Sequence, residues 1–403
     1  MGEVSSRKVA YLVSHYPAIS HTFILNEIMQ LRKEGFEICT ASINACDRQP
    51  SQLPEIERPE EAATFYVKPA GFLAAMRAVI LTAVHHPVGA VRGLLFTIRL
   101  GGTPKRYLYF VEALMLGMWM RREAVTHLHV HFGMAAATAA MLVSKTFPVT
   151  YSITIHGPDE FYDVSKYYLA EKMASAHLVC CIGSFARSQL MLISPSSQWH
   201  KYQVVPLGVD PGRFAPGARL AKRHFEIVCI GRLVAAKGQH ILLSAVKRLV
   251  QEDRDVKLRL VGDGPERSSL ERRIADEGLA NHVIVEGAVN QDRIPEILKN
   301  ADVFALASFA EGVPVALMEA MAAEIPCVST RITGIPELIR DEIDGLLVSP
   351  SDDEGMTDAL RRLADEPELR RRLGKAGRAR VMDRYNLERN TKALAEVFRC
   401  HLP

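Results

Sequence analysis

Residues 308–323 read Ser-Phe-Ala-Glu-Gly-Val-Pro-Val-Ala-Leu-Met-Glu-Ala-Met-Ala-Ala. An apolar run from Val303 to Leu306 precedes them and has the length and character of a strand. Pro314 suits the first turn of a helix, where a missing N–H costs nothing. The residues after it are good helix formers with few β-branches. Glu311 is therefore expected in a strand-to-helix loop and Glu319 inside the helix. The first carboxylate would meet a ligand at the positive end of the helix, with the second over a turn deeper. Two acceptor-only groups placed this way suit the hydroxyls of a sugar and a ribose. A capping carboxylate followed by a solvated helix glutamate has the same spacing, so this stretch alone leaves both readings open.

The same strand–loop–helix scheme recurs on both sides. Upstream, Ile227 to Ile230 is a strand, and Gly231-Arg232-Leu233 turns towards a helix starting near Lys237-Gly238. Arg232 and Lys237 then stand just beyond a strand end and at a helix start, where two cations beside exposed N–H groups suit a diphosphate. Plain surface charge is the other reading of that loop. Leu258 to Val261 leads into Gly262-Asp263-Gly264-Pro265, and Val283 to Val285 into Glu286-Gly287-Ala288. Gly262 and Gly264 lack the further glycine of a dinucleotide fingerprint. Beyond Glu319 come a short strand (Cys327 to Ser329), the turn at Thr333-Gly334-Ile335-Pro336, and a strand from Gly345 to Val348. Two charged helices follow at about 353–365 and 367–384.

The N-terminal half opens on a strand (8–14), a loop from His15 to Ser20, a helix from about Thr22 to Gly35, and a second strand to Ile43. This is the start of a βαβ unit, so an α/β fold with doubly wound parallel sheets is expected. Ligands gather beyond the carboxyl ends of such strands, which nominates His15, Ser20, His21 and Thr22 for a cleft, with Ser20 a plain helix cap on the other reading. Residues 44–68 are polar and proline-dotted and read as a surface excursion. His127, His129 and His131 alternate, so on a strand they share one face. No Cys or carboxylate stands beside them at a metal-ligand spacing, and no metal is expected. His156, at the end of the strand from Val149 to Ile155 and before a Gly-Pro turn, is well placed for chemistry, although a lone histidine is often structural.

At 403 residues the chain exceeds what one core usually serves, so two domains are expected. The Gly/Pro-rich passage at 203–216 is the best boundary, giving 1–205 and 206–385. The apolar stripe of the last helix (about 386–403) is expected to pack back on the first domain. Hydrophobic residues at 48%, charged residues at 24% and a net charge of +3 exclude a nucleic-acid binder and a disordered chain. Seven cysteines with no C-x-x-C pair read as reduced thiols of a cytoplasmic protein. A short polar leader runs straight into a strand, with no signal peptide expected, and no uncharged apolar run reaches a membrane span. Residues 70–122 form three apolar helical stretches punctuated by Arg77, Arg92, Arg99, Lys105, Arg106, Arg121 and Arg122. Such helices can lie on an anionic membrane surface, or pack on the sheet with their cations in water.

Taken in order, Thr154-Ile155-His156-Gly157, Val205-Pro206-Leu207-Gly208-Val209-Asp210, Gly231-Arg232-Leu233…Lys237-Gly238, Val261-Gly262-Asp263-Gly264-Pro265 and Glu311-Gly312…Glu319 resemble the retaining glycosyltransferases of the GT-B fold, family 4. The runs Ser20-His21-Thr22-Phe23-Ile24, His129-Val130-His131-Phe132 and His156-Gly157-Pro158-Asp159-Glu160-Phe161 are similar to the branch that builds exopolysaccharides of the colanic-acid type. The resemblance covers nearly the whole chain. It implies two Rossmann-like domains facing across a cleft, the first binding acceptor and the second a UDP- or GDP-linked sugar. It implies that Arg232 and Lys237 hold the diphosphate, that Glu311 meets the sugar with Gly231, Gly312, Val313 and Pro314 lining the site, and that Glu319 meets the ribose. The base would lie near Gly287, Ala288 and Val289, and His156 near the reacting carbon. Ser20, His21, Thr22, His131 and Asp159 are acceptor-side or phosphate-side candidates. No cofactor or catalytic metal is implied. The partners would be a nucleotide-sugar, a glycolipid or oligosaccharide acceptor, and the inner membrane as a peripheral contact. One departure stands out: many relatives have a Gly-Gly turn after the first strand, where this chain has Tyr16-Pro17-Ala18-Ile19-Ser20. The other functions open to such residues are a non-catalytic sugar-nucleotide sensor or scaffold and a GT-B sugar-nucleotide epimerase.

Overall fold

The computed structural model describes residues 7–101, 103–217 and 224–402, and only the backbone of Ser20. The chain divides into two compact units, Met1–Val205 with Thr391–Pro403, and Pro206–Asn390.

In the first unit the elements run β1 (Lys8–Val13), α1 (Thr22–Lys33), β2 (Glu37–Ser42), α2 (Arg58–Ala63), β3 (Phe65–Tyr66), α3 (Gly71–His85), α4 (Pro87–Arg99), α5 (Pro104–Arg122), β4 (His127–His131), α6 (Ala135–Thr146), β5 (Thr150–Ile155), α7 (Leu169–Ser175), β6 (Leu178–Cys181), α8 (Ser184–Leu192) and β7 (Tyr202–Val204). The strands form one parallel sheet in the order β3-β2-β1-β4-β5-β6-β7. The order reverses direction between β1 and β4, and in an open α/β sheet that switch point is where a crevice forms. The pleat sorts the side chains into two layers. Ala10, Leu12, Leu128 and Val130 pack with α5 and α6, while Val9, Tyr11 and Val13 pack with Ile24, Ile28 and Leu31 of α1. Leu394 and Phe398 of the last helix, α16 (Leu387–His401), complete that second layer.

His127, His129 and His131 all face this second layer and are buried. Their strand register sets them opposite Thr150, Ser152 and Thr154. His127 bonds Thr150 and Ser152 at 2.7 and 2.8 Å, and His129 bonds Ser152 and Thr154 at 2.7 and 3.0 Å. A cross-strand ladder of hydroxyls thus accounts for two of the three alternating histidines.

Residues 44–68 are more than a surface excursion. They supply α2 and the edge strand β3, and they bury Leu53, Glu57 and Glu60. Two of those acids are neutralised by cations from elsewhere in the chain or the segment. Arg48 pairs with Glu57 at 2.6 Å, Arg32 of α1 pairs with Glu60, and the Tyr16 hydroxyl donates to Glu60 at 2.8 Å. A polar local composition hides this, because the partners are set by tertiary packing.

The second unit runs β8 (Phe225–Ile230), α9 (Gln239–Gln251), β9 (Val256–Val261), α10 (Arg267–Asp276), β10 (Val283–Gly287), α11 (Ile294–Lys299), β11 (Val303–Leu306), α12 (Val315–Ala322), β12 (Cys327–Thr330), α13 (Ile335–Leu338), β13 (Leu346–Val348), α14 (Asp353–Asp365) and α15 (Pro367–Arg384). Its parallel sheet has the order β10-β9-β8-β11-β12-β13, with the switch point between β8 and β11. Gly238, just before α9, has φ +62°, and a Cβ there would lie 2.1 Å from the Ala307 carbonyl oxygen. Only glycine lets the loop after β8 close on the loop after β11. Pro314 stands at the N-cap of α12, one residue ahead of the expected first turn.

All seven cysteines are unpaired. Cys180, Cys181, Cys229 and Cys327 are buried and Cys400 is exposed. No single helix among the described residues is long and apolar enough to cross a membrane, and α3 and α4, which together have the length, bend by 119° at their junction.

Candidate active site

Each unit carries a cluster of polar side chains at the carboxyl edge of its own sheet. In the second unit the loop after β8 begins at Gly231, whose N–H continues the ladder to Val261 O at 2.9 Å. The Gln239 side-chain amide donates to Arg232 O at 2.9 Å and pins the loop. Lys237 then reaches the loop after β11, where its ammonium donates to Glu311 Oε1 at 2.5 Å. The Ser308 hydroxyl donates to the same oxygen at 2.7 Å. Thr330 holds Ser308 O at 2.6 Å, and the Thr333 hydroxyl donates to Glu311 O. Glu311 is 8% exposed. Its Oε1 is doubly occupied, while Oε2 has no hydrogen-bond partner among the described residues. Arg232 differs from Lys237: its guanidinium is exposed and has neither hydrogen bond nor ion pair among the described residues. The two expected cations are therefore one paired ammonium and one unpaired guanidinium. Glu311 stands in the loop before the helix, as expected, but as half of an ion pair and not as a free carboxylate.

Gly312, Val313 and Pro314 link Glu311 to α12, whose N-terminus has no side-chain cap. Glu319 lies within α12, buried, and accepts from the Gln291 side chain. It is not a solvated helix residue. Burial pushes its carboxyl up to about 7, against the downward pull of Gln291 and Arg213. Gly287, at φ +78°, closes β10 and accepts from Gly262 N at 2.9 Å, and Val289 is half-buried in the loop beyond.

In the first unit the loop after β1 ends in a 3-10 turn, Ile19–His21, and His21 is the N-cap of α1. The cap position thus falls one residue after Ser20, whose side chain lies outside the described residues. Thr22 opens α1, and neither the turn nor the helix has a side-chain cap. His131, the last residue of β4, bonds through Nδ1 to His156 Nε2 at 2.9 Å and through Nε2 to Glu27 Oε1 at 3.1 Å. The Tyr11 hydroxyl donates to that Glu27 oxygen at 2.9 Å. His156 is framed by Phe132 and Phe23, with ring centroids at 4.3 and 5.1 Å. Burial, aided by His131 and His21, pushes its imidazole well below the usual histidine range, so it is neutral at pH 7.

The backbone around His156 is clamped by Glu160. Its carboxylate accepts from His156 N at 2.6 Å, Gly157 N at 2.8 Å and Gly133 N. Lys172, also buried, donates to Gly133 O and Met134 O at 2.8 Å each. Burial raises the Glu160 carboxyl to about 7 and lowers the Lys172 ammonium to about 7. Asp159, between His156 and Glu160, is exposed.

The fold brings a carboxylate to the alternating histidines after all. Glu27, His129 and His131 place ligand-capable atoms within 4.8 Å of one another. Both nitrogens of each histidine are already hydrogen-bonded, so the cluster is knit by hydrogen bonds. Spacing missed Glu27, Lys172, Gln291, Ser308 and Thr333. Glu27 had left a signal, an acid set in the buried stripe of α1 beside Ile24, Ile28 and Leu31.

Residues 215–380 match the family model "Glycosyl transferases group 1". The chain is 26% identical to the amylovoran biosynthesis glycosyltransferase AmsK of Erwinia amylovora, over 97% of this chain and 98% of that one. It is 28% identical to the putative colanic acid biosynthesis glycosyltransferase WcaL of Escherichia coli K12, over 88% and 89%. Among solved structures it is similar to Anabaena HepE in complex with UDP and glucose, with a TM-score of 0.74, 16% identity, and coverage of 98% and 99%. Two parallel-sheet Rossmann-like units of this kind are the GT-B fold. The chain is a glycosyltransferase, with a group 1 domain that contains the whole Arg232–Lys237–Glu311–Glu319 cluster.

Proposed function

We propose that the chain is a retaining transferase of family 4 that moves a hexosyl group from a UDP- or GDP-linked sugar to a lipid-linked or other polysaccharide acceptor in exopolysaccharide biosynthesis, without a catalytic metal. The observation that carries the reading is the Lys237–Glu311 pair beside the unpaired Arg232, at the switch point between β8 and β11. An ammonium has three donors and Glu311 uses one, so Lys237 can bind phosphate without leaving its partner. Arg232 presents a planar fork to the same diphosphate. As the bond from the anomeric carbon to the diphosphate oxygen breaks, both cations meet the charge that develops on the leaving group. The acceptor oxygen forms its bond to the anomeric carbon on the same face, and its proton passes to the leaving phosphate. Glu311 Oε2 accepts from a sugar hydroxyl, Glu319 from the ribose, and the Gly287–Val289 backbone lies along the base. His156 meets the sugar, and the first unit takes the acceptor. The names of AmsK and WcaL support an exopolysaccharide product. Calorimetric titration with UDP, GDP and ADP, with and without EDTA, tests the donor side. One nucleotide should bind, unaffected by EDTA. Failure of all three to bind would remove the donor assignment.

The lipid side of the acceptor fits α3–α5. Residues 62–111 contain no Asp or Glu but six cations: Lys68, Arg77, Arg92, Arg99, Lys105 and Arg106. Phe72, Leu73 and Val88 of α3 and α4 are 75%, 80% and 80% exposed, and Leu95 and Leu108 add to that apolar surface. Apolar side chains among cations match an anionic leaflet, which supports a peripheral contact with the cytoplasmic face of the membrane as part of this reading. The protein should float with anionic liposomes and stay at the bottom of the gradient with neutral ones. Sedimentation away from both in low salt would refute membrane contact.

A further inference from the structure

We infer that Tyr11, Glu27 and His131 form a hydrogen-bonded relay that holds His156 in a single tautomer, protonated on Nε2, so that Nδ1 faces a ligand as an acceptor. The Tyr11 hydroxyl lies 2.9 Å from Glu27 Oε1, and burial together with Glu27 pushes that phenol well above its usual range, so it keeps its proton and donates. A carboxylate has no proton to give, so His131 Nε2, at 3.1 Å from the same oxygen, carries the N–H of that contact. With a single proton on the ring, spent on Glu27, His131 Nδ1 is an acceptor; a second proton there would turn the contact with His156 round, and the two states differ in which His156 nitrogen carries the proton. His156 Nε2, 2.9 Å away, donates to the singly protonated ring. His156 Nδ1 is left with a lone pair and has no partner among the described residues.

His129 packs 5.1 Å from His131, but its two nitrogens belong to Ser152 and Thr154. Phe132, Phe23 and the Glu160 clamp on His156 N fix the plane of the His156 ring. Glu27 and His131 are thus positioning residues that act through His156. The consequence is selective. An acceptor at Nδ1 accepts a hydrogen bond from a ligand hydroxyl and repels a phosphoryl or carboxylate oxygen, which would need an N–H. This last step rests on the proposed contact between His156 and the sugar.

The test begins with the unmodified protein. In protein labelled with 15N-histidine, with His156→Gln used to assign the signal, two-bond 1H–15N spectra report which nitrogen is protonated. The expected result is Nε2–H on both His131 and His156. Protonation of His156 on Nδ1, or signals averaged between tautomers, would overturn the relay, and this reading needs no destabilising variant. Glu27→Met, which removes the acceptor at similar bulk, should lose the Nε2–H preference of His156. It should also lower kcat on the order of ten- to a hundredfold while nucleotide affinity holds. An unchanged tautomer in that variant would also overturn the relay. A displaced tautomer with unchanged kcat would uphold the relay and instead remove His156 from the reaction.

Discussion

Lys237→Ala should lower kcat/KM by about a thousandfold or more, because two functions are lost together. One is the cation that meets charge developing on the departing diphosphate. Removing one such donor typically costs about 10²–10³ in rate. The other is the partner of Glu311. Lys237 and Glu311 are 21% and 8% exposed at their side chains, so the variant strands a nearly buried carboxylate with only Ser308 to satisfy it. Breaking a buried pair from one side costs about 3–5 kcal/mol at the upper end, and this partly exposed one should cost about 2. A fall in Tm should therefore accompany the fall in rate. Glu311→Gln, with the same shape and no charge, should separate the two effects. Combining the changes should cost less than the sum of the single losses, since each single variant already breaks the pair. Steady-state rates and thermal melts of the three variants check this. Full additivity in both measurements would mean that the ion pair does not join the two residues.

Arg232→Ala is the complementary case. It should cost a hundred- to a thousandfold in kcat/KM, on the order of one donor to the leaving group, with Tm unchanged. Its guanidinium is exposed and bonds nothing among the described residues, so no folded-state contact is lost. Arg232→Lys should recover only part of the rate, because a point charge cannot reproduce a two-pronged contact to phosphate. The arginine effect should also shrink as salt rises, which screens an exposed charge more than the partly buried Lys237. Equal turnover in Arg232→Ala and the unmodified chain would take Arg232 out of the donor site.

The alternation of short apolar runs with helical stretches identified an α/β fold of paired parallel sheets directly, because strand and helix periodicities are local properties of the chain. The two charged helices expected at about 353–365 and 367–384 fall at Asp353–Asp365 and Pro367–Arg384 for the same reason. The segment at 44–68 misled, since buried Glu60 is neutralised by Arg32 and hydrogen-bonded by Tyr16, residues that a local window cannot pair with it. The alternating histidines were visible as one face of a strand, but not what that face meets.

The identity of the chemistry-bearing residues, their place at strand ends and the α/β class were decided by the sequence, through periodicity, glycine and proline placement and motif order. Their pairing was decided only by tertiary structure. Lys237 and Glu311 are 74 residues apart and Glu27 and His131 are 104 apart. Each pair meets because strands β8 and β11, and β1 and β4, are neighbours in their sheets. Strand order follows from how buried faces pack across the whole domain, and so does the answer to which cation is neutralised and which has no partner among the described residues. A hydrogen bond is a short-range contact, and only the assembled sheet brings its two ends within reach.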